Sequence, residues 1–282
     1  MAYKQCRFLL FVFVLAGRAA LGASEAQERD IWTLWRMQTN EPAQHESIVA
    51  ACRRIQQATP LNPLLPVAQG LAAWHSLRMG KTNDAVALFG EMEAAAAAAT
   101  AAPAAPIAPT ATAGAEMARR WLTRLDREQV RGALARYYSD AVEYPAALQA
   151  LKKTAPGKKD APLPWADRWG DPWQYQLAPL KIIKGAPGQR YVLQSKTLGE
   201  SSDLAQALKR SYGGRTPLQP VSLTITSGGA QIVVFQTAGG RPDKIMLSEG
   251  GQAEGVTLTY IGAQILILCD GDHWRVVLKP AE

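Results

Sequence analysis

The chain holds little of what catalysis and covalent cross-linking need. Of its 282 residues, three are histidine and three are cysteine. His45, His75 and His273 lie far apart and form no His-Glu-x-x-His pair. There is no Gly-x-Ser-x-Gly elbow, no phosphate-cradling Gly-x-x-x-x-Gly-Lys loop and no Cys-x-x-Cys pair. These absences exclude the common motif-bearing catalysts, so no catalytic, cofactor-binding or metal-ligating residue is assigned and the chain is read as a non-enzyme. His75, within an apolar helical stretch, is expected to be packed or exposed rather than catalytic. Beyond the first twenty or so residues no apolar run approaches the about 20 residues that a membrane span needs. Cys6 lies in that first segment. Cys52 and Cys269 fall in different expected domains, and Cys269 ends the apolar run Ile265–Leu268. Two buried thiols are expected in preference to a bridge, because a free cysteine packs as a small hydrophobe.

What is present begins with a leader. Lys4 and Arg7 form a basic start, Phe8 to Gly17 a short apolar run, and Leu21-Gly22-Ala23 a small-residue exit, which together read as a signal peptide over 1–23. Arg18 leaves an uncleaved anchor as the alternative. The net charge of +7 includes Lys4, Arg7 and Arg18, so +4 remains once the leader is removed. Lys152, Lys153, Lys158 and Lys159 flank Pro156-Gly157 and read as a solvated loop. Nucleic-acid binding would ask for a basic stripe with stacking aromatics, so no nucleic-acid partner is expected. A tract of alanine, proline and threonine at 99–115 marks the clearest domain boundary, an extended linker.

After this tract, Met117, Trp121, Leu125, Val130, Leu134 and Tyr137 recur at helical spacing. The helix ends in Ala133-Leu134-Ala135-Arg136-Tyr137-Tyr138-Ser139-Asp140-Ala141-Val142-Glu143-Tyr144-Pro145. Asp167-Arg168-Trp169-Gly170-Asp171-Pro172-Trp173-Gln174-Tyr175 follows, and then Tyr191 and Ser195. In order and spacing these resemble the globular domain of the type II secretion major pseudopilin. That family reads Ala-Leu-x-x-Tyr-x-x-Asp-x-Gly-x-Tyr-Pro, then Asp-Pro-Trp-Gly-Asn-Pro-Tyr-x-Tyr, then Tyr-x-x-x-Ser. The resemblance implies an α+β domain over 116–213, in which Trp169, Trp173 and Tyr175 close the core over the helix bearing Leu134 and Tyr137. Val142 stands where the family has glycine. A β-branched residue is poorly suited to positive φ, so that corner is expected to run differently. The family's apolar N-terminal helix is missing, since Arg119, Arg120, Arg124, Asp126 and Arg127 crowd this one. The family also binds calcium after the Tyr-x-x-x-Ser strand, but here Glu200 and Asp203 are the only carboxylates in a shortened loop. No cofactor is assigned.

Two further resemblances are weaker. Residues 24–98 are helical by pattern, and Leu71 to Phe89 looks like one tetratricopeptide-type hairpin. In it Ala73 and Ala85 allow close approach, Gly80 ends the first helix and Phe89 fills the groove. A plain helical bundle is the alternative. Residues 217–282 read as short strands between glycine turns. Leu247 to Ile261 resembles the small periplasmic β-domain of type II secretion clamp proteins and pilus alignment proteins. The expected fold is therefore multidomain α+β: a helical region, a pilin-like α+β domain and a small all-β domain. The resemblances imply an exported accessory or scaffold protein of a secretion or pilus-like apparatus, in the periplasm or envelope, meeting the membrane only through partners or an uncleaved leader. The competing expectation is an envelope binding module that reuses a pilin head, unconnected with secretion.

Overall fold

A computed structural model describes residues 23–39, 44–58, 63–101, 109–152, 162–183, 186–199, 204–209, 216–237 and 244–280. Residues 1–22 of the expected leader, most of the lysine-rich stretch, Gly239-Gly240 and Glu200–Asp203 lie outside these residues. The described elements are α1 (Glu25–Thr39), α2 (His45–Ala58), α3 (Leu65–Arg78), α4 (Thr82–Ala101) and α5 (Pro109–Ala141). A 3-10 turn (Leu148–Lys152), β1 (Gln174–Ile183), β2 (Ala186–Gln194) and α6 (Leu204–Lys209) follow. The chain then runs through β3 (Leu218–Ile225), β4 (Gln231–Thr237), β5 (Lys244–Leu247), β6 (Gln252–Ala253), β7 (Val256–Ile261), β8 (Ile265–Cys269) and β9 (Trp274–Leu278). The fold is mixed α+β, with six helices and three small antiparallel sheets among the described residues. None of these helices is long and apolar enough to cross a membrane.

Two compact units divide the chain: residues up to Ala118 together with those from Ser211 onward, and Arg119–Arg210 between them. This differs from the expectation of separate helical (24–98) and β (217–282) domains, because the helices and the C-terminal strands share one unit. The reason lies in β8, whose five residues Ile265, Leu266, Ile267, Leu268 and Cys269 are all buried. Such a strand needs cover on both faces. Leu266 and Leu268 enter a core with Leu218, Val233, Phe235, Leu247, Val256 and Leu258 from the neighbouring strands. Strand β9 contacts α1 and α3. There the fully buried Trp274 indole lies so close to α3 that a Cβ at Gly70 would fall 2.5 Å from its Nε1.

Helix α3 is central to the first unit, with every residue from Val67 to Leu77 buried. It starts with proline in its first turn, where a missing N–H costs nothing. It ends in a Schellman turn: Gly80 adopts φ +74°, its N–H donates to Leu77 O at 3.0 Å, and Lys81 N–H donates to Ser76 O at 2.9 Å. Ala73, Ala85 and Phe89 are fully buried in the resulting hairpin with α4. Helix α4 continues to Ala101 and α5 starts at Pro109, so helix occupies both ends of the expected 99–115 linker. Pro109 stands at the N-terminus of α5, the one helical position that proline favours. Residues 102–108 lie outside the described set.

In the second unit α5 packs on a single hairpin. Strands β1 and β2 pair antiparallel with an irregularity between Ala178 and Lys181. The core is Val130, Ala133, Leu134, Leu148, Leu151, Trp173 and Leu193, with Tyr137, Tyr144, Tyr175 and Tyr191 packed against it. Trp173 carries the aromatic bulk of this core. Trp169, expected beside it, is only half-buried and stands outside the cluster.

The corner after α5 overturns the expectation for Val142, which does adopt positive φ, at +62°. Its side chain is 77% exposed, so no burial compensates the strain. Val142→Gly should therefore stabilise the protein by about 1 kcal/mol, since a Cβ in the left-handed region costs roughly that much. A thermal melt of the full chain checks this, and an unchanged or lower midpoint would show that the corner carries no strain.

Candidate functional site

The first unit gathers every histidine of the chain around one tryptophan. Trp74, near the end of α3, has His75 at 4.9 Å edge-on, His45 at 6.4 Å and His273 at 6.4 Å between ring centroids. The Arg78 guanidinium lies 5.4 Å from the same indole. Spacing along the chain gives no hint of this grouping. His45 opens α2, His75 closes α3 and His273 precedes β9, so only the tertiary fold brings them together.

His75 is fully buried and held at both ring nitrogens. Its Nε2 lies 3.2 Å from Gln38 Oε1 on α1, and its Nδ1 lies 2.8 Å from His45 Nδ1. An amide oxygen only accepts, so His75 carries its proton on Nε2 and offers a lone pair at Nδ1. His45 supplies the proton of that second contact. Burial lowers the His75 pKa to about 3, helped by His45 and then by Arg78. Burial, then Arg78, also lowers His45. Both rings are thus neutral near pH 7. His273 is tied differently: its backbone N–H donates to Asp270 Oδ1 at 2.7 Å, and its Nδ1 lies 3.6 Å from the same oxygen. Burial works to raise the Asp270 carboxyl, but His273 and Arg275 outweigh it and hold it below the usual range.

A second polar centre fixes α1 to the strands. Glu28 is buried, and its carboxylate accepts the Tyr260 hydroxyl at 2.9 Å, Ala263 N–H at 2.9 Å and Gln264 N–H at 2.7 Å. The β7–β8 turn therefore forms a nest of donors around one anion. Gly262 makes room for it, because a Cβ there would overlap the carboxylate.

The second unit brings its motif residues together around Asp167. Asp167 Oδ1 accepts the backbone N–H groups of Trp169 and Asp171, both at 3.0 Å, while Oδ2 accepts the Ser195 hydroxyl at 2.6 Å. Arg168 grips Asp126 of α5 with Nε at 2.6 Å and a second nitrogen at 3.2 Å, and its N–H donates to Thr123. Trp173 Nε1 donates to Pro164 O at 2.8 Å and Tyr175 donates to Pro145 O at 2.7 Å. Toward the surface, Tyr138 and Tyr191 flank Tyr144, each with centroids 4.6 Å away. Arg124 and Arg127, expected as a charged outer face of the helix, are instead fully buried, with Arg124 over the Trp121 ring at 4.7 Å. Cys52 and Cys269 are both buried, and neither forms a disulfide. Burial pushes the Cys52 thiol up to about 12, which makes it inert.

Two outcomes follow. Glu28→Ala should cost about 3 kcal/mol or more by stranding the turn amides and the Tyr260 hydroxyl, and urea unfolding measures it; a loss under about 1 kcal/mol would show that the turn holds without the anion. The buried neutral His75 stabilises the fold fully above its ordinary pKa of 6.5, and that contribution is lost as pH falls from there toward 3. Urea midpoints taken from pH 8 to 5 should thus decline below 6.5, with a slope approaching about 1.4 kcal/mol per pH unit. A flat profile would mean that His75 titrates normally.

No protein-family model matches this chain, and neither does any curated protein or solved structure.

Proposed function

We propose that the protein is a non-catalytic, exported accessory or scaffold of a type II secretion or type IV pilus-like assembly, acting by protein–protein docking in the periplasm or envelope. The observation that carries this reading is the convergence of the pseudopilin-like motif residues in the second unit. Asp167 and Ser195 come from two separate motifs and meet at 2.6 Å. Tyr144, Trp173, Tyr175 and Tyr191 from the same motifs surround the core that includes Leu134. A docking role also suits a chain whose titratable clusters are neutral, capped or tied into structural contacts.

The role is accessory rather than filament-forming. A pilin packs its filament through an apolar helix, whereas α5 carries Arg119, Arg120, Arg124, Asp126 and Arg127. Arg124 and Arg127 are already buried within the chain, and moving such ions into an unpartnered apolar interior costs several kcal/mol each. The half-exposed cluster of Tyr138, Tyr144 and Tyr191 favours a second reading, an envelope binding module unconnected with secretion.

A host that runs a type II secretion system separates the two. The tagged full-length protein should co-isolate with components of that apparatus, and its deletion should reduce export of the system's substrates. Electron microscopy of the purified chain should show no filaments. Normal export with no co-isolated component would favour the binding-module reading, and filaments built from this chain would restore a pilin role.

A further inference from the structure

We propose that the facing Nδ1 atoms of His45 and His75 are a binding site for a soft monovalent cation, Cu(I). The two nitrogens stand 2.8 Å apart with one proton between them. His75 has the arrangement of a prepared metal ligand. Its Nε2–H is held by the Gln38 carbonyl oxygen, which fixes the tautomer and turns the Nδ1 lone pair outward toward His45. Metal-bound histidines are oriented by such a contact on the far ring nitrogen. Both rings are neutral, so binding an ion needs only a change of tautomer at His45 and no net loss of a proton.

Access comes from the His45 side. An open cavity of about 530 Å3 is lined by Gln44, His45, Glu46, Ser47, Met79 and Lys81. Met79, whose side chain carries a soft thioether donor, lines the same cavity as His45. An ion bound between the rings replaces the shared proton, which moves to Nε2 of His45 by way of water. Imidazole bonds of about 2 Å ask for nitrogens farther apart than in the hydrogen bond, up to about 4 Å in a linear arrangement. His45 can open that gap by rotating its ring, because it is the first residue of α2 and only half-buried.

Charge selects the ion. Two neutral imidazoles and a thioether offer no negative charge, and Arg78 and Lys81 stand close by. Glu46 is exposed and pairs with Lys81 at 3.8 Å. Among the described residues no three His, Cys, Asp or Glu side chains converge on a metal position. A divalent ion would thus gain nothing to offset the nearby cations, whereas Cu(I) carries half the charge and favours imidazole and thioether donors.

The test is anaerobic competition for Cu(I) against a coloured chelator, using the full-length protein. The wild type should withdraw one equivalent. His45→Ala, with folding checked by circular dichroism, should bind at least about tenfold more weakly, which is the scale on which even supporting residues act at metal sites. A variant with Cys6→Ala, Cys52→Ala and Cys269→Ala should keep the site, which removes the thiols as the source. The proposal is overturned if the wild type withdraws no copper, if His45→Ala binds as well as the wild type, or if binding disappears with the cysteines. Zn(II) binding as tight as Cu(I) would overturn it too, since the charge argument would then fail.

Discussion

Strand β8 has no side to spare. Five consecutive buried residues, Ile265 to Cys269, cannot belong to a small sheet with one face in water. One face is satisfied by the strands carrying Leu218, Val233 and Phe235. The other requires a second layer, and the chain's own N-terminal helices provide it through the contacts of α1 and α3 with β9. Everything else in the first unit follows from that demand. Gly70 keeps α3 free of a side chain where the Trp274 indole approaches. Glu28 then fixes the register of α1 by entering the turn that leads into β8. Apolar burial thus holds the layers together, and one buried anion fixes how they align.

The second unit is organised around a carboxylate of another kind. Asp167 binds its own turn through two backbone amides and reaches across to Ser195 just after β2. Arg168 ties the same turn to Asp126 on α5. The aromatic side chains pack over this polar lock, and their hydroxyl and indole groups end on backbone carbonyls. Burial followed by the neighbouring tyrosines pushes the Tyr175 phenol up to about 12. Tyr175 therefore acts as a neutral packing group and hydrogen-bond donor, which suits a rigid surface better than acid–base work.

The sequence made much of the local structure legible. The glycine turns marked residues 217–282 as a run of short strands, and the apolar run Ile265–Leu268 lies within β8. Gly80 marked the end of α3 because only a residue without Cβ sits easily in the left-handed turn that closes it. The misreadings share a cause, since periodicity identifies a buried face without identifying what covers it. Leu266 and Ile267 read as one apolar strand, and nothing in the run says that sheet lies on one side and helix on the other. Glu28, within Glu25-Ala26-Gln27-Glu28-Arg29-Asp30, looks like any solvated helix charge. Pro109 reads as a helix breaker until it is seen at the helix start. Val142 was misjudged because a local preference against positive φ, worth only about 1–2 kcal/mol, yields to the packing of Tyr144 and Pro145 beyond it. The histidine group was invisible for a simpler reason: 30 residues separate His45 from His75, and His273 joins them only through the tertiary fold.

The Glu28 contacts join residues 232 to 236 positions apart, and the whole second unit lies in the chain between them. As the chain emerges from the ribosome, α1 to α4 arrive early with one layer of their cover missing. Residues 119–210, which form the second compact unit, come next, while the first unit still waits for its last strands. Only when β7 and β8 appear does Glu28 find its donors. The first unit therefore has a late, high-contact-order closing step, and until then it exposes apolar helix surface of the kind that aggregates. A truncation that removed only the last two strands would leave nearly all of the helical sequence intact yet deprive it of the layer it folds against.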